Sequence, residues 1–184
     1  LRDVSAAIDA IPLQPRGSAW QEVPFSLTSA RTDRDATIEI AVSGPGVALV
    51  DFVSLMRSDV RSNGMLRPDL LEALRGLAPA FIRWPGGSFA STYKWLDGIG
   101  PLASRVYHPN EIWGGYSDYY GFGTDQYLEL TRQLGSLPLI VLPAPDDSLA
   151  SVEYAMNWVH YVNDPPSTAW GQRRARNGHS DPYH

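Results

Sequence analysis

Two short apolar runs constrain this chain more than anything else in it: Pro79 to Trp84 and Pro138 to Leu142. Each follows a stretch with helical periodicity. Ahead of the first, Pro68 suits an opening helical turn, and Leu70, Leu71, Leu74 and Leu77 share one face. Ahead of the second, Thr124 suits an N-cap with Asp125 in the first turn; Tyr127, Leu128, Leu130 and Leu134 recur at helical spacing, and Gly135 ends the helix. Ser148 then caps a helix carrying Leu149, Val152, Met156 and Val159 on one side, and the tail from Asn163 reads as polar, basic and loop-like. The order helix, strand, helix, strand, helix predicts parallel strands covered by helices.

Two parallel strands cannot bury both of their faces. Leaving Leu139, Ile140, Val141 and Leu142 in water forfeits about 1.5–3 kcal/mol for each. The sum rivals the whole stability of a domain, about 5–15 kcal/mol. The strands therefore need neighbours, which a (β/α)8 barrel, typically about 250 residues, would supply. With 184 residues and a mid-domain-like opening at Leu1, the chain reads as a piece of something longer. Alone, it is expected to be poorly soluble or oligomeric.

The first third has a different rhythm. Val23, Phe25 and Leu27 alternate with polar neighbours; Ile38, Ile40 and Val42 repeat the pattern after Thr32 to Asp35; Val47 to Met56 makes a third run after Ser43-Gly44-Pro45-Gly46. Three antiparallel strands without a helix predict the end of a β-sandwich at residues 1–57. Arg61-Ser62-Asn63-Gly64 reads as a linker, and residues 58–184 as the helix–strand region.

Composition narrows the chemistry. Without cysteine, thiol catalysis, zinc–thiolate sites and disulfides are excluded. A net charge of −5 argues against a nucleic-acid partner, which asks for a basic face. No run approaches the apolar length of a membrane span. The histidines His108, His160, His179 and His184 show no metal-ligand spacing, and Asp146-Asp147 reads as a helix-start pair. Six tryptophans and nine tyrosines remain to be explained. Such side chains offer a flat apolar face to a sugar ring and a polar tip to its hydroxyls, although most serve as core.

The first apolar strand ends in Trp84-Pro85-Gly86-Gly87-Ser88 and opens into a loop rich in glycines and aromatics. In α/β enzymes, strands that exit this way do so at the mouth of the active site. Several segments in series carry a more specific signal: Arg67 to Leu74, Ile82 to Phe89, Trp95 with Asp97-Gly98-Ile99-Gly100-Pro101, Phe122 to Tyr127, and Asn177-Gly178-His179. Together they resemble the α-L-arabinofuranosidases of glycoside hydrolase family fifty-one, from about Trp20 to the C-terminus.

That resemblance implies a mixed α and β architecture: the end of a β-sandwich (a jelly roll of carbohydrate-binding type) followed by part of a (β/α)8 barrel. It also implies a retaining glycosidase that releases terminal arabinofuranosyl residues from plant polysaccharides, with no cofactor and no metal. The partner is then an arabinose-containing oligo- or polysaccharide, and the parent acts in an extracellular or periplasmic setting.

Retention needs two carboxyl groups roughly 5 Å apart. In the family both are glutamates at the ends of later strands, the acid/base one preceded by Asn. None of Glu22, Glu39, Glu72, Glu111, Glu129 and Glu153 fits that pattern; Glu111 follows Asn110 but lies in mid-loop. Both catalytic residues are therefore expected beyond His184. What the resemblance leaves here is substrate binding by Gly86, Gly87, Ser88, Trp95 and Trp113. Ser88 stands where the family more often has Asn or Cys, and Trp95 is either a sugar contact or a packing residue. Tyr116, Tyr119 and Tyr120 suit outer subsites. Two other readings are a non-catalytic carbohydrate-binding protein and a barrel glycosidase for a different sugar.

Overall fold

The computed structural model describes residues 19–29, 32 and 34–183. The chain divides into two units, Leu1–Leu49 and Val50–His184. In the first, the described residues form neither helix nor strand, and almost all are exposed. The strands expected at 23–27, 38–42 and 47–56 carry no ladder among the described residues. Alternation marks a chain suited to a sheet face, but a strand exists only when its N–H and C=O groups find a partner strand. Ile38, Ile40, Val42 and Val47 accordingly point into solvent.

The second unit is mixed α/β. Its elements are α1 (Ser58–Ser62), α2 (Pro68–Leu77), β1 (Phe81–Trp84), α3 (Phe89–Thr92), β2 (Tyr107–Pro109), β3 (Ser117–Tyr119), α4 (Thr124–Leu134), β4 (Leu137–Ile140), α5 (Leu149–Asn163) and α6 (Ala169–Arg176). Strands β1 and β4 pair in parallel, with Phe81 opposite Leu137 and Trp84 opposite Ile140. Helix α4 makes the crossover between them, as the alternation of periods predicts. Gly123 rather than Thr124 is the N-cap of α4, and the Gln126 side chain accepts its N–H at 3.1 Å. Gly135 closes the helix in the left-handed conformation.

Two regions differ from their sequence reading. Part of the expected linker is the short helix α1. The tail read as loop contains α6, capped by the Thr168 hydroxyl, which accepts from the Gly171 N–H at 3.1 Å. The basic run there is not a solvated patch, because Arg174 is fully buried. Its guanidinium donates to the carbonyls of Tyr161, Val162, Asp164 and Ser180, capping the end of α5 and holding the segment after α6.

The core is aromatic. Trp95 and Trp158 stack at 5.8 Å with their planes 2° apart, and Tyr93, Tyr120, Tyr127 and Tyr161 complete the cluster. Trp158 also anchors the start of α4, donating to the Thr124 hydroxyl at 3.0 Å. The outer side of the sheet is uncovered: Phe81 is 58% exposed and Leu137 71%. On α5 the expected apolar stripe of Leu149, Val152 and Met156 also faces solvent, while Trp158, Tyr161 and Val162 form the buried face. No helix among the described residues is long and apolar enough to cross a membrane.

Candidate functional site

The parallel register brings the carboxyl ends of β1 and β4 to one level, since the Val141 N–H donates to the Trp84 carbonyl at 2.8 Å. The Trp84 ring lies under the turn that follows. It stacks on Tyr127 at 5.0 Å and receives the edges of Tyr93, Phe122 and Trp158. This bed of rings fixes where β1 ends. The Trp84–Pro85 peptide bond is cis, and Gly86 then adopts φ +139°, a conformation that side chains with a Cβ rarely take. A Cβ at Gly86 would meet nothing within 4 Å, so the constraint there is the backbone and not crowding.

Ser88 follows at the start of α3, exposed at the carboxyl end of the strand. Gly86, Gly87 and Ser88 thus form one continuous rim, beside which the Arg83 guanidinium lies 3.5 Å from where a Cβ on Gly87 would stand. Trp95 sits elsewhere. It is fully buried against Trp158, Tyr154, Tyr161 and Trp170, and its indole N–H donates to the Tyr154 carbonyl at 3.1 Å.

Trp113 is 64% exposed, at the tip of the loop joining β2 and β3. One buried side chain shapes that loop. Asn110 Oδ1 accepts from the N–H groups of Ile112 and Trp113, at 3.1 and 2.6 Å, while its Nδ2 donates to the Tyr116 hydroxyl and to Asp118. Tyr116 is exposed beside it, Tyr119 is partly so, and Tyr120 is buried under His108 and Tyr93. The structure brings the rim residues together and leaves Trp113 on a separate element.

The glutamates form no catalytic pair here. Glu129 is engaged by Arg132 at 2.6 Å and by Gln133, and the Arg132 guanidinium holds its carboxyl below the usual range. Glu111, Glu72 and Glu153 are exposed. Among the described residues no group of three or more His, Asp or Glu side chains converges as a metal site.

Sequence reasoning missed two polar centres. Arg105 is buried and ties the loop to α4, donating to the carbonyls of Gly100, Tyr120 and Gly121 and to Gln126. Asp125, read as a first-turn residue, accepts from the Tyr161 hydroxyl at 2.9 Å and the Tyr183 hydroxyl at 3.4 Å. Burial pushes its carboxyl above the usual range, opposed by the Tyr161 hydrogen bond and the Arg105 charge. The phenol of Tyr154 is likewise pushed up, to about 12, by burial. A Thr-Asp pair opening a helix was the available signal for Asp125, and it does not reveal burial.

A parallel strand pair that opens at its carboxyl ends into a glycine rim over an aromatic bed defines an α/β protein whose functional loops lie on that side. Comparison with known proteins narrows the class. The model of the α-L-arabinofuranosidase 1 domain matches residues 73–184, and the chain belongs to that family. Among its relatives is an extracellular exo-α-L-arabinofuranosidase of Streptomyces chartreusis, 29% identical over 196 residues, spanning 89% of this chain and 23% of that protein. α-L-Arabinofuranosidase C of Emericella nidulans is 38% identical over 117 residues, spanning 64% of this chain and 22% of that one. The arabinose complex of the α-L-arabinofuranosidase from Thermotoga maritima superposes with a TM-score of 0.60 at 34% identity, over 66% of this chain and 24% of that structure. The chain thus spans under a quarter of the length of these relatives.

Proposed function

We propose that this chain forms the early part of a retaining α-L-arabinofuranosidase that releases terminal arabinofuranosyl residues from plant polysaccharides, in an extracellular or periplasmic setting. The observation that carries the reading is the family match over residues 73–184, which spans the parallel β1–α4–β4 unit. In this reading residues 58–184 are the opening part of a (β/α)8 barrel, and the free hydrogen-bonding edges of β1 and β4 are where further strands pair. Residues 1–57 are the closing strands of a β-sandwich, a role supported by their period-two alternation.

The chemistry follows from this placement. Gly86 and Gly87 let a sugar approach the backbone, the Ser88 hydroxyl bonds one of its hydroxyls, and Trp113 lines an outer part of the cleft. Trp95 supports the site from below. The nucleophile and the acid/base are glutamates on strands beyond His184, because none of the six glutamates here is preceded by Asn at a strand end.

The test is hydrolysis of an aryl α-L-arabinofuranoside by the longer polypeptide that carries this chain. Arabinose should appear with retained anomeric configuration, and a glutamate preceded by Asn should lie shortly past His184. Absence of either removes the assignment. The 184 residues alone should show no turnover; turnover abolished by changing one of their own glutamates would overturn it.

A further inference from the structure

We infer that the face of the β2–β3 hairpin turned toward residues 51–55 is a second carbohydrate site, which holds the polymer chain away from the arabinose pocket. This inference rests on the polysaccharide reading proposed above and adds a subsite to it. The groove, of about 450 Å3, is lined by Asp51, Phe52, Ser54, Tyr107 and Tyr119 among others.

Its floor is a pair of stacked phenols. Tyr107 and Tyr119 face each other across the strand register, with ring centroids 4.7 Å apart and planes 25° apart. Tyr107 is 61% exposed, so its outer face is open. Phe52 closes one side, 5.9 Å from Tyr119. An exposed aromatic face with hydroxyl-binding groups beside it suits the C–H face of a sugar ring.

The floor is set in advance. The Tyr119 hydroxyl donates to the Leu102 carbonyl at 3.4 Å, and its ring lies over Gly121, where any Cβ would overlap it. A ring held this way loses little freedom on binding, which favours affinity. Asp51 supplies acceptors at the edge: its Oδ1 takes the Phe52 N–H at 2.7 Å, which leaves Oδ2 for a sugar hydroxyl. The Ser54 hydroxyl lies in the same wall. The lining holds a carboxylate and no cation, so a neutral glycan fits and a phosphate or polyuronate does not.

The experiment uses the full polypeptide that carries this chain, with linear arabinan, arabinoxylan and dextran as probes in affinity gels. Wild type should be retarded by arabinan or arabinoxylan and not by dextran. Tyr107→Ala should weaken that retardation about tenfold, whereas Tyr107→Phe, which keeps the ring face, should retain it. Asp51→Ala, on an exposed segment, should weaken it about threefold and serves if Tyr107→Ala fails to fold. The ratio of polymer KM to aryl arabinofuranoside KM should rise in step with the loss. Equal retardation by dextran, or wild-type retardation in both Tyr107→Ala and Asp51→Ala, overturns the groove. Failure to hydrolyse the aryl arabinofuranoside, with polymer binding intact, overturns the proposed function and not the groove.

Discussion

The hydroxyl of Tyr127 is built into the backbone ladder, where it accepts the N–H of Leu139 at 2.7 Å. It passes the bond on by donating to the Ile82 carbonyl at 2.6 Å. A helical side chain thus completes the pairing of β1 with β4, and one phenol couples α4 to both strands. Its burial pushes the phenol's pKa up. Tyr127→Phe strands one partly buried donor and one partly buried acceptor, at about 1–2 kcal/mol each. Urea unfolding should report a loss of about 2–4 kcal/mol. An unchanged midpoint would show that the two strands close up and bond directly.

Arg174 should prove costly to replace although no carboxylate among the described residues pairs with it. Its side chain serves four carbonyls at the end of α5 and after α6. Arg174→Met keeps volume and removes the donors, and should cost about 3 kcal/mol or more. Arg174→Lys should recover only part, because an ammonium cannot span the same fork. Thermal melts of the two variants decide it.

Asp125 gives a pH dependence with a definite sign. Its carboxyl titrates higher in the folded chain than in the unfolded one. The folded state therefore favours the protonated form, and this contribution is full below the ordinary carboxylate value. It is lost as pH rises through the raised value. Asp125→Asn keeps an acceptor for Tyr161 and removes the ionisation. Its melting temperature should hold or rise near neutrality, and the fall of stability above the carboxylate range should flatten. A steeper fall would contradict the burial argument.

In the longer polypeptide, Ser88→Ala should raise the KM for an aryl arabinofuranoside about threefold to tenfold, the worth of one neutral hydrogen bond. Ser88→Asn, which keeps a hydrogen-bonding side chain, should match or improve on wild type. Steady-state kinetics on the three proteins distinguish a sugar-contacting hydroxyl from a bystander, for which all three would agree.

Much of the second unit was legible because its signals are local. Pro68, Gly135 and the leucine spacing announce helices, and the apolar runs announce buried strands, all within windows of about a dozen residues. The end of β1 at Trp84 was legible for the same reason, since a proline–glycine–glycine run favours a turn. What failed depends on distant partners. The alternation over 23–56 describes a sheet face, but no described residue pairs with it. Trp95 and the α5 stripe show the limit most clearly: a tryptophan beside a glycine loop lies in the core, while Leu149 and Val152 stand in water. Side-chain type reports solvent preference, and only the folded neighbours decide which preference is met. The buried role of Asp125 was hidden because its partners are remote in sequence, and that of Arg174 because its partners are main-chain carbonyls, which residue type does not announce.

The Asn110 amide separates the turn of the 110–116 loop from the side chain at its tip. Its Oδ1 sets the course of the loop through the main-chain N–H groups of Ile112 and Trp113, not through the indole N–H. The residue at position 113 is thus free to drift in size and chemistry while the turn beneath it stays constant. A substitution there changes the exposed tip of the loop and leaves the scaffold as it is.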